Sequence, residues 1–229
     1  MTDLSHPLNR PIWHALNRHQ SDFALGRERA RRFAPDVGPF GATRDDTPDS
    51  LAELAELVRA HGPLALLQVG DIPVPPCTMA QMTMLGVQMV ARNIVPLDPA
   101  SPVERLGPND ASAMLALATA TQPGPFFPRT HELGTFWGVK ADGRLVAMAG
   151  ERMKPPGYTE VSAVCTDPAH RGKGYAALLS RTVATQIMAR GETPMLHAYA
   201  SNTPAIRLYE TLGFELRTHV NVTVLANNH

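Results

Sequence analysis

Cysteine is nearly absent from this 229-residue chain. Cys77 and Cys165 are too few for a disulfide framework and lack the paired spacing of a zinc site, so a reducing compartment is expected. Charge of one sign is absent too: 21 basic side chains meet 21 acidic ones, and nothing in that balance advertises nucleic acid or an anionic membrane as partner. Lysine is confined to Lys140, Lys154 and Lys173, an arginine bias that carries no functional weight. Aromatics are sparse. Trp13, Trp137 and the Phe126-Phe127 pair are too scattered for a base-stacking platform. No run approaches the ~18 consecutive apolar residues of a membrane span, and the opening MTDLSHPLNRPIWHALNRHQ lacks the apolar stretch of a secretion signal. The expectation is a cytoplasmic protein without nucleic-acid or membrane partners. His131-Glu132 begins H-E-x-x-H, but Thr135 stands where the second ligand is required, so no metal is expected.

What is present is ordinarily globular: 44% hydrophobic residues, with 17 Gly and 21 Pro below a low-complexity share. The length allows one elaborated domain or two small ones. Residues 48–60 place Leu51, Leu54, Ala55, Leu57 and Val58 on one helical face, with Asp49 or Ser50 available as cap. Apolar runs at 64–69 and 82–90 read as strands around the proline-rich DIPVPP segment. Four prolines between Ile94 and Pro108 mark a linker. The expected division is an amino-terminal α/β domain, 1–100, and a second domain, 101–229.

In the second part, a helix around Met114 to Ala118 must end at PGPFFP. Strands at 135–140 and 145–152 flank Asp142-Gly143, a hairpin signal. Tyr158 to Thr166 reads as a strand stopped before Pro168, and a long helix runs from Gly172 to about Arg190. A strand at 195–200, a helix at 203–212 and a strand at 214–225 complete the pattern.

The segment Glu160-Val-Ser-Ala-Val-Cys-Thr-Asp-Pro-Ala-His-Arg171-Gly172-Lys173-Gly174-Tyr175-Ala176-Ala177 carries the chemistry. A strand that enters a helix through a glycine turn points several amides at one spot, and the helix dipole adds positive potential there. With Arg171 and Lys173 at its rim, that spot suits a diphosphate. It is not a nucleoside triphosphate P-loop, because Gly174 follows Lys173. Nor is it a dinucleotide fingerprint, because Ala177 replaces the third glycine.

Arg171-Gly-Lys-Gly-Tyr-Ala176 resembles the [QR]-x-x-G-x-[GA] signature of the GNAT superfamily of acyl-CoA-dependent N-acyltransferases, and the V-x-x-D-P before it resembles the same signature's strand end. Downstream, Asn202, Tyr209 and Gly213-Phe214 resemble the second signature. The resemblance covers about residues 109–226. It implies an α+β fold: a central mixed, mostly antiparallel sheet flanked by helices. In some relatives the amino-terminal half is a degenerate copy of this fold, which the mixed content of residues 1–100 permits.

The activity so implied is transfer of an acetyl group from acetyl-CoA to a primary amine of a small molecule or peptide by direct attack. The sequence also admits a non-catalytic acyl-CoA sensor or a different acyl group, and leaves a homodimer open. By the resemblance, Val164, Cys165 and Thr166 form the strand edge that pairs with the cofactor arm, and Arg171, Gly172, Lys173, Gly174, Tyr175, Ala176 and Ala177 form the pyrophosphate turn. The resemblance gives Asn202 a hydrogen bond to the arm, and its place also suits the cap of the helix after it; the two roles can coexist. Tyr209 is the expected proton donor, being protonated at neutral pH. For the base, Glu160 and His197 stay equally open, with burial needed to raise the pKa of Glu160. Cys165 offers a covalent route in principle, although in a strand it reads more simply as a small hydrophobe.

Overall fold

A computed structural model describes residues 6–94 and 102–228; the boundary expected near residue 100 lies outside the described residues. The amino-terminal stretch holds elements too short to leave a periodic signature. Helix α1 (Pro11–Leu16) buries Ile12, Ala15 and Leu16. Strands β1 (Ala24–Gly26), β2 (Ala30–Phe33) and β3 (Gly41–Thr43) pair antiparallel in a small sheet of their own. Helix α2 (Pro48–His61) buries Leu54, Leu57 and Val58 as its periodicity predicts. Its N-cap is Thr47 and neither Asp49 nor Ser50, because Pro48 takes the first helical position and the Ser50 hydroxyl donates to Asp45. The other end of α2 is closed by buried Arg32, whose Nη1 donates to the carbonyls of His61 and Gly62 at 3.2 and 2.9 Å. A guanidinium there satisfies carbonyls that the helix leaves without partners and complements its dipole.

The remaining strands make one sheet. They are β4 (Leu64–Gln68), β5 (Thr78–Ala91), β6 (Glu104–Leu106), β7 (Phe136–Ala141), β8 (Arg144–Glu151), β9 (Tyr158–Thr166), β10 (Thr193–Tyr199) and β11 (Phe214–Asn227). Their spatial order is β4-β11-β5-β10-β9-β8-β7-β6, and every neighbouring pair is antiparallel except β9 with β10. Residues on both sides of the proline-rich segment therefore share one hydrogen-bonded sheet, with β5 lying between β11 and β10. Asp142 and Gly143, both at positive φ, turn β7 into β8 as the Asp-Gly signal predicts.

Two helices cover this sheet next to the β9–β10 pair. Helix α3 (Ala111–Thr121) packs Met114 and Leu117 with Met148 of β8. Helix α4 (Tyr175–Ala189) packs Leu179, Val183 and Ile187 with Ala147 and Ala149, the residues that alternate with Met148 along the same strand. Helix α5 (Thr203–Thr211) then returns the chain to β11 through Gly213, whose φ is 98°. A Cβ on Gly213 would lie 2.1 Å from the carbonyl oxygen of Asn93. Gly213→Ala is therefore expected to destabilise the fold by at least the ~1–3 kcal/mol of a forced backbone conformation. A urea midpoint equal to that of wild type would refute this.

Candidate active site

Strand β9 pairs with β10 only from Tyr158–Glu160 to Thr193–Met195. Past Met195, β10 pairs with β5 on its other side, out to Tyr199 opposite Gly86. On its far edge β9 stays attached to β8 through a bulge, where Ala163 takes a φ of 53°. A non-glycine residue held there marks strain concentrated at one point of the sheet. The result is a wedge: from Val161 to Thr166, the β10-facing edge of β9 has no strand partner among the described residues. That edge ends in the turn before α4. Such an edge offers backbone donors and acceptors in a row to any amide-bearing chain laid along it.

A cavity of about 410 Å³ lies at this corner, and Val164, Cys165, Thr166, Arg171, Gly172, Gly174, Tyr175, Ala176 and Ala177 all line it. Of the residues expected around the diphosphate, Lys173 does not. Gly172 and Gly174 have φ of 79° and 76°, and a Cβ on either would meet nothing within 4 Å. The glycines thus serve the left-handed backbone of the turn, not clearance from neighbouring protein atoms. Gly174 is the N-cap of α4, so the first amides of that helix, which have no intrahelical acceptor, open onto the cavity.

Two buried polar atoms of cavity-lining residues, Thr166 Oγ1 and His170 Nδ1, make no hydrogen bond among the described residues, and of the two His170 Nδ1 faces the Asp167 carboxylate at 3.7 Å. Thr166 Oγ1 fits a ligand rich in acceptors and exchangeable protons, as a pyrophosphate with an amide arm is. His170 escaped the sequence reading; its place in the turn, three residues after the capping Asp167, was the only signal. The Cys165 thiol, by contrast, is pushed up to about 11 by burial, against weaker opposing hydrogen bonds from Thr121 and Met148, and so is protonated and a poor nucleophile.

A larger cavity of about 550 Å³ continues from this corner, sharing Pro123 and Val164 with it, and is lined by His197, Asn202 and Tyr209. Glu160 lies fully buried beside it. The Glu160 carboxylate accepts four hydrogen bonds: Arg152 Nε at 2.8 Å, Arg152 Nη2 at 2.7 Å, the Met153 amide at 3.3 Å and His197 Nδ1 at 2.7 Å. Burial alone would raise its pKa, but the Arg152 charge and the donors from Arg152 and His197 outweigh that, and the group is held well below the ordinary carboxylate range. The burial that a Glu160 base would need is present, but its effect on the pKa is reversed because the guanidinium of Arg152, eight residues earlier in the chain, meets the carboxylate.

The His197 tautomer follows from its neighbours. Gln88 Oε1 accepts from Arg217 Nη1 at 2.7 Å and Gln88 Nε2 donates to the Leu8 carbonyl at 2.9 Å, which fixes the orientation of the amide. That Nε2 also lies 2.9 Å from His197 Nε2, which must accept. The proton of the neutral ring then sits on Nδ1 and is donated to Glu160. Both ring nitrogens, like all four lone-pair sites of the carboxylate, are occupied.

Tyr209 projects from α5 and packs its ring on Phe214, with centroids 6.0 Å apart. Burial, reinforced by the negative charge of Glu160, pushes its hydroxyl up to about 12. Asn202 caps α5, its Oδ1 accepting from the Ala205 amide at 3.3 Å, while it also lines the larger cavity. The expected cap is therefore present. Among the described residues, no group of three or more His, Cys, Asp or Glu could hold a metal, and no helix is long and apolar enough to cross a membrane.

Residues 137–223, which contain this site, match the FR47-like protein family. The chain is 43% identical to a protein from Novosphingobium aromaticivorans assigned as an acetyltransferase of the GNAT family; the two superpose with a TM-score of 0.92 over 98% of this chain and 100% of that one. A GCN5-related N-acetyltransferase from Kribbella flavida shares the fold at 18% identity, with a TM-score of 0.65 over 97% of this chain and 96% of that one. Mycothiol acetyltransferase from Thermomonospora curvata is 38% identical over 77 residues, a stretch that takes in 33% of this chain and 26% of that protein.

Proposed function

Because the chain belongs to the GNAT family of acetyltransferases, which draw on acetyl-CoA, we propose that its β9–α4 corner holds the coenzyme A portion of that donor and that the adjoining cleft delivers an amine to it. The observation that carries this reading is the wedge between β9 and β10, open from Val161 onward and closed at its foot by the glycine turn of α4. Its corner combines helix amides, the Arg171 guanidinium and Thr166 Oγ1, which has no hydrogen-bond partner among the described residues, a donor set that suits two phosphates. The free edge at Val164, Cys165 and Thr166 suits the amide groups of the arm.

Acetyl-CoA supplies an activated acetyl carbonyl and a thiolate leaving group. The amine nitrogen forms the new bond to the carbonyl carbon, the carbon–sulfur bond breaks, and the thiolate takes a proton. Tyr209 is the residue assigned to give that proton, since its raised pKa keeps it protonated across the working range. The surplus proton on the nitrogen goes to water, and solvent restores the phenol. Glu160 and His197 are assigned to positioning: with every lone pair engaged, they fix the Arg152 end of the cleft and place a permanent negative charge behind Tyr209. Cys165 takes no covalent part, because its thiol stays protonated.

Calorimetric titration with coenzyme A tests the corner directly. Wild type is expected to bind. Gly174→Ala, which imposes a φ of 76° on a residue with a Cβ at about 1–2 kcal/mol, is expected to weaken binding about tenfold. Equal heats and affinities for the two proteins would count against the assignment.

A further inference from the structure

The lining of the larger cavity includes Val164 and Tyr209, where the proposed donor's arm would enter, and residues of strands β4, β11 and β5. The strand residues make a wall of one composition. Leu67, Val222 and Met84 stand in one row across the three strands, and Ala65, Val224 and Met82 in the next, because Val222 pairs with both Leu67 and Met84 while Val224 pairs with Ala65 and Met82. Side chains two residues apart share a sheet face, so these rows form one continuous apolar surface. It is only partly covered: Met82 is 50% exposed, and Val222 and Val224 are half-buried. Phe40 adds an aromatic edge to the cleft.

The charge inventory of this cleft is equally restricted. Among the described residues that line it there is no Asp, Glu or Lys. Among the same residues Arg152 is the one permanent charge, and that guanidinium is held by Glu160 in a two-pronged ion pair, with its central carbon 4.7 Å from the centre of the Phe40 ring. Among the described lining residues, no carboxylate is free to receive an ammonium group and no permanent cation is free to receive an amino acid's carboxylate. A charged group taken into such a cleft would find no opposite charge among the described lining residues to offset its lost hydration, whereas apolar surface gains about 25 cal/mol per Å² buried.

We infer that the acceptor is an apolar primary monoamine, taken up as the neutral free base, whose hydrocarbon part lies on the Leu67–Val222–Met84 wall. This rests on the acetyl-CoA reading above and narrows it. The full engagement of Glu160 and His197 points the same way: with neither open as a base, the cleft suits an amine that has already shed its proton in solution.

Thiol release would be followed with 2-phenylethylamine and hexylamine against spermidine and L-phenylalanine, with acetyl-CoA affinity measured separately by calorimetry. The apolar amines are expected to show kcat/KM at least tenfold above the other two. Their pH profiles are expected to follow the acceptor: the midpoint of kcat/KM shifts to lower pH when the less basic benzylamine replaces 2-phenylethylamine. Met82→Glu and Met84→Glu are each expected to raise the KM for 2-phenylethylamine at least tenfold and to leave acetyl-CoA affinity unchanged, which also reports that the variants are folded. Preference for spermidine or L-phenylalanine, a pH midpoint common to both aryl amines, or no turnover of any amine by a protein that binds acetyl-CoA would each overturn the acceptor class and leave the donor site standing. Failure to bind acetyl-CoA would overturn the donor reading, and the acceptor class with it.

Discussion

Tyr209→Phe is expected to lower kcat by about 10²–10⁴-fold, the usual worth of a positioned proton donor, while coenzyme A affinity stays within about twofold. The phenyl ring can keep its contact with Phe214, so the substitution removes the hydroxyl and little packing. The hydroxyl is suited to the task by what surrounds it. Burial and the Glu160 carboxylate both disfavour the phenolate, and with the pKa raised to about 12 the proton is retained at any pH where an amine is turned over. No decline in rate from ionisation of Tyr209 should therefore appear up to about pH 10, the ordinary value of a tyrosine. Pre-steady-state thiol release would check this. A Tyr209→Phe rate within threefold of wild type would remove the residue from the reaction.

Glu160→Ala is expected to be the most destabilising single change at the site, by about 3–5 kcal/mol, because it strands the Arg152 guanidinium with most of its surface out of water. For a chain of this length that corresponds to a fall in Tm of roughly 6–20 °C. The loss should be smaller in the double variant Arg152→Leu with Glu160→Leu, where no charge is left unpaired, and a double-mutant cycle in urea would give the coupling. The same pair sets an acid limb. The folded-state pKa of Glu160 lies below its ordinary value of 4.5, so its stabilising contribution is complete above that value and is lost as pH falls from there through the folded-state pKa. Wild type should lose stability steadily below about pH 4.5, and Glu160→Ala should lose less over the same interval. An identical pH slope for the two proteins would show that the ion pair is not formed in solution.

What the sequence determined by itself was local. Regular period and strong punctuation placed α2, the β7–β8 hairpin, β9, α4, α5 and β11 close to where they stand, because each carries an apolar stripe or alternation bounded by Gly, Pro or a capping residue. The glycine turn at Gly172 and Gly174 was legible for the same reason: left-handed backbone selects residue type directly. Short elements of three to six residues, α1 and β1 to β3, left no such trace.

Tertiary structure decided the rest. The strand Thr78–Ala91 reads from its apolar run as a strand, and nothing in it states that it will lie between β10 and β11 and carry one wall of the cleft. Glu160 and His197 are 37 positions apart and Gln88 lies 109 before His197, yet their hydrogen bonds, not their identities, decide which atoms are free to react. Pattern fixes which face of an element is apolar. Which charges meet across the fold depends on packing, and that in turn sets the protonation state of each group in the cleft.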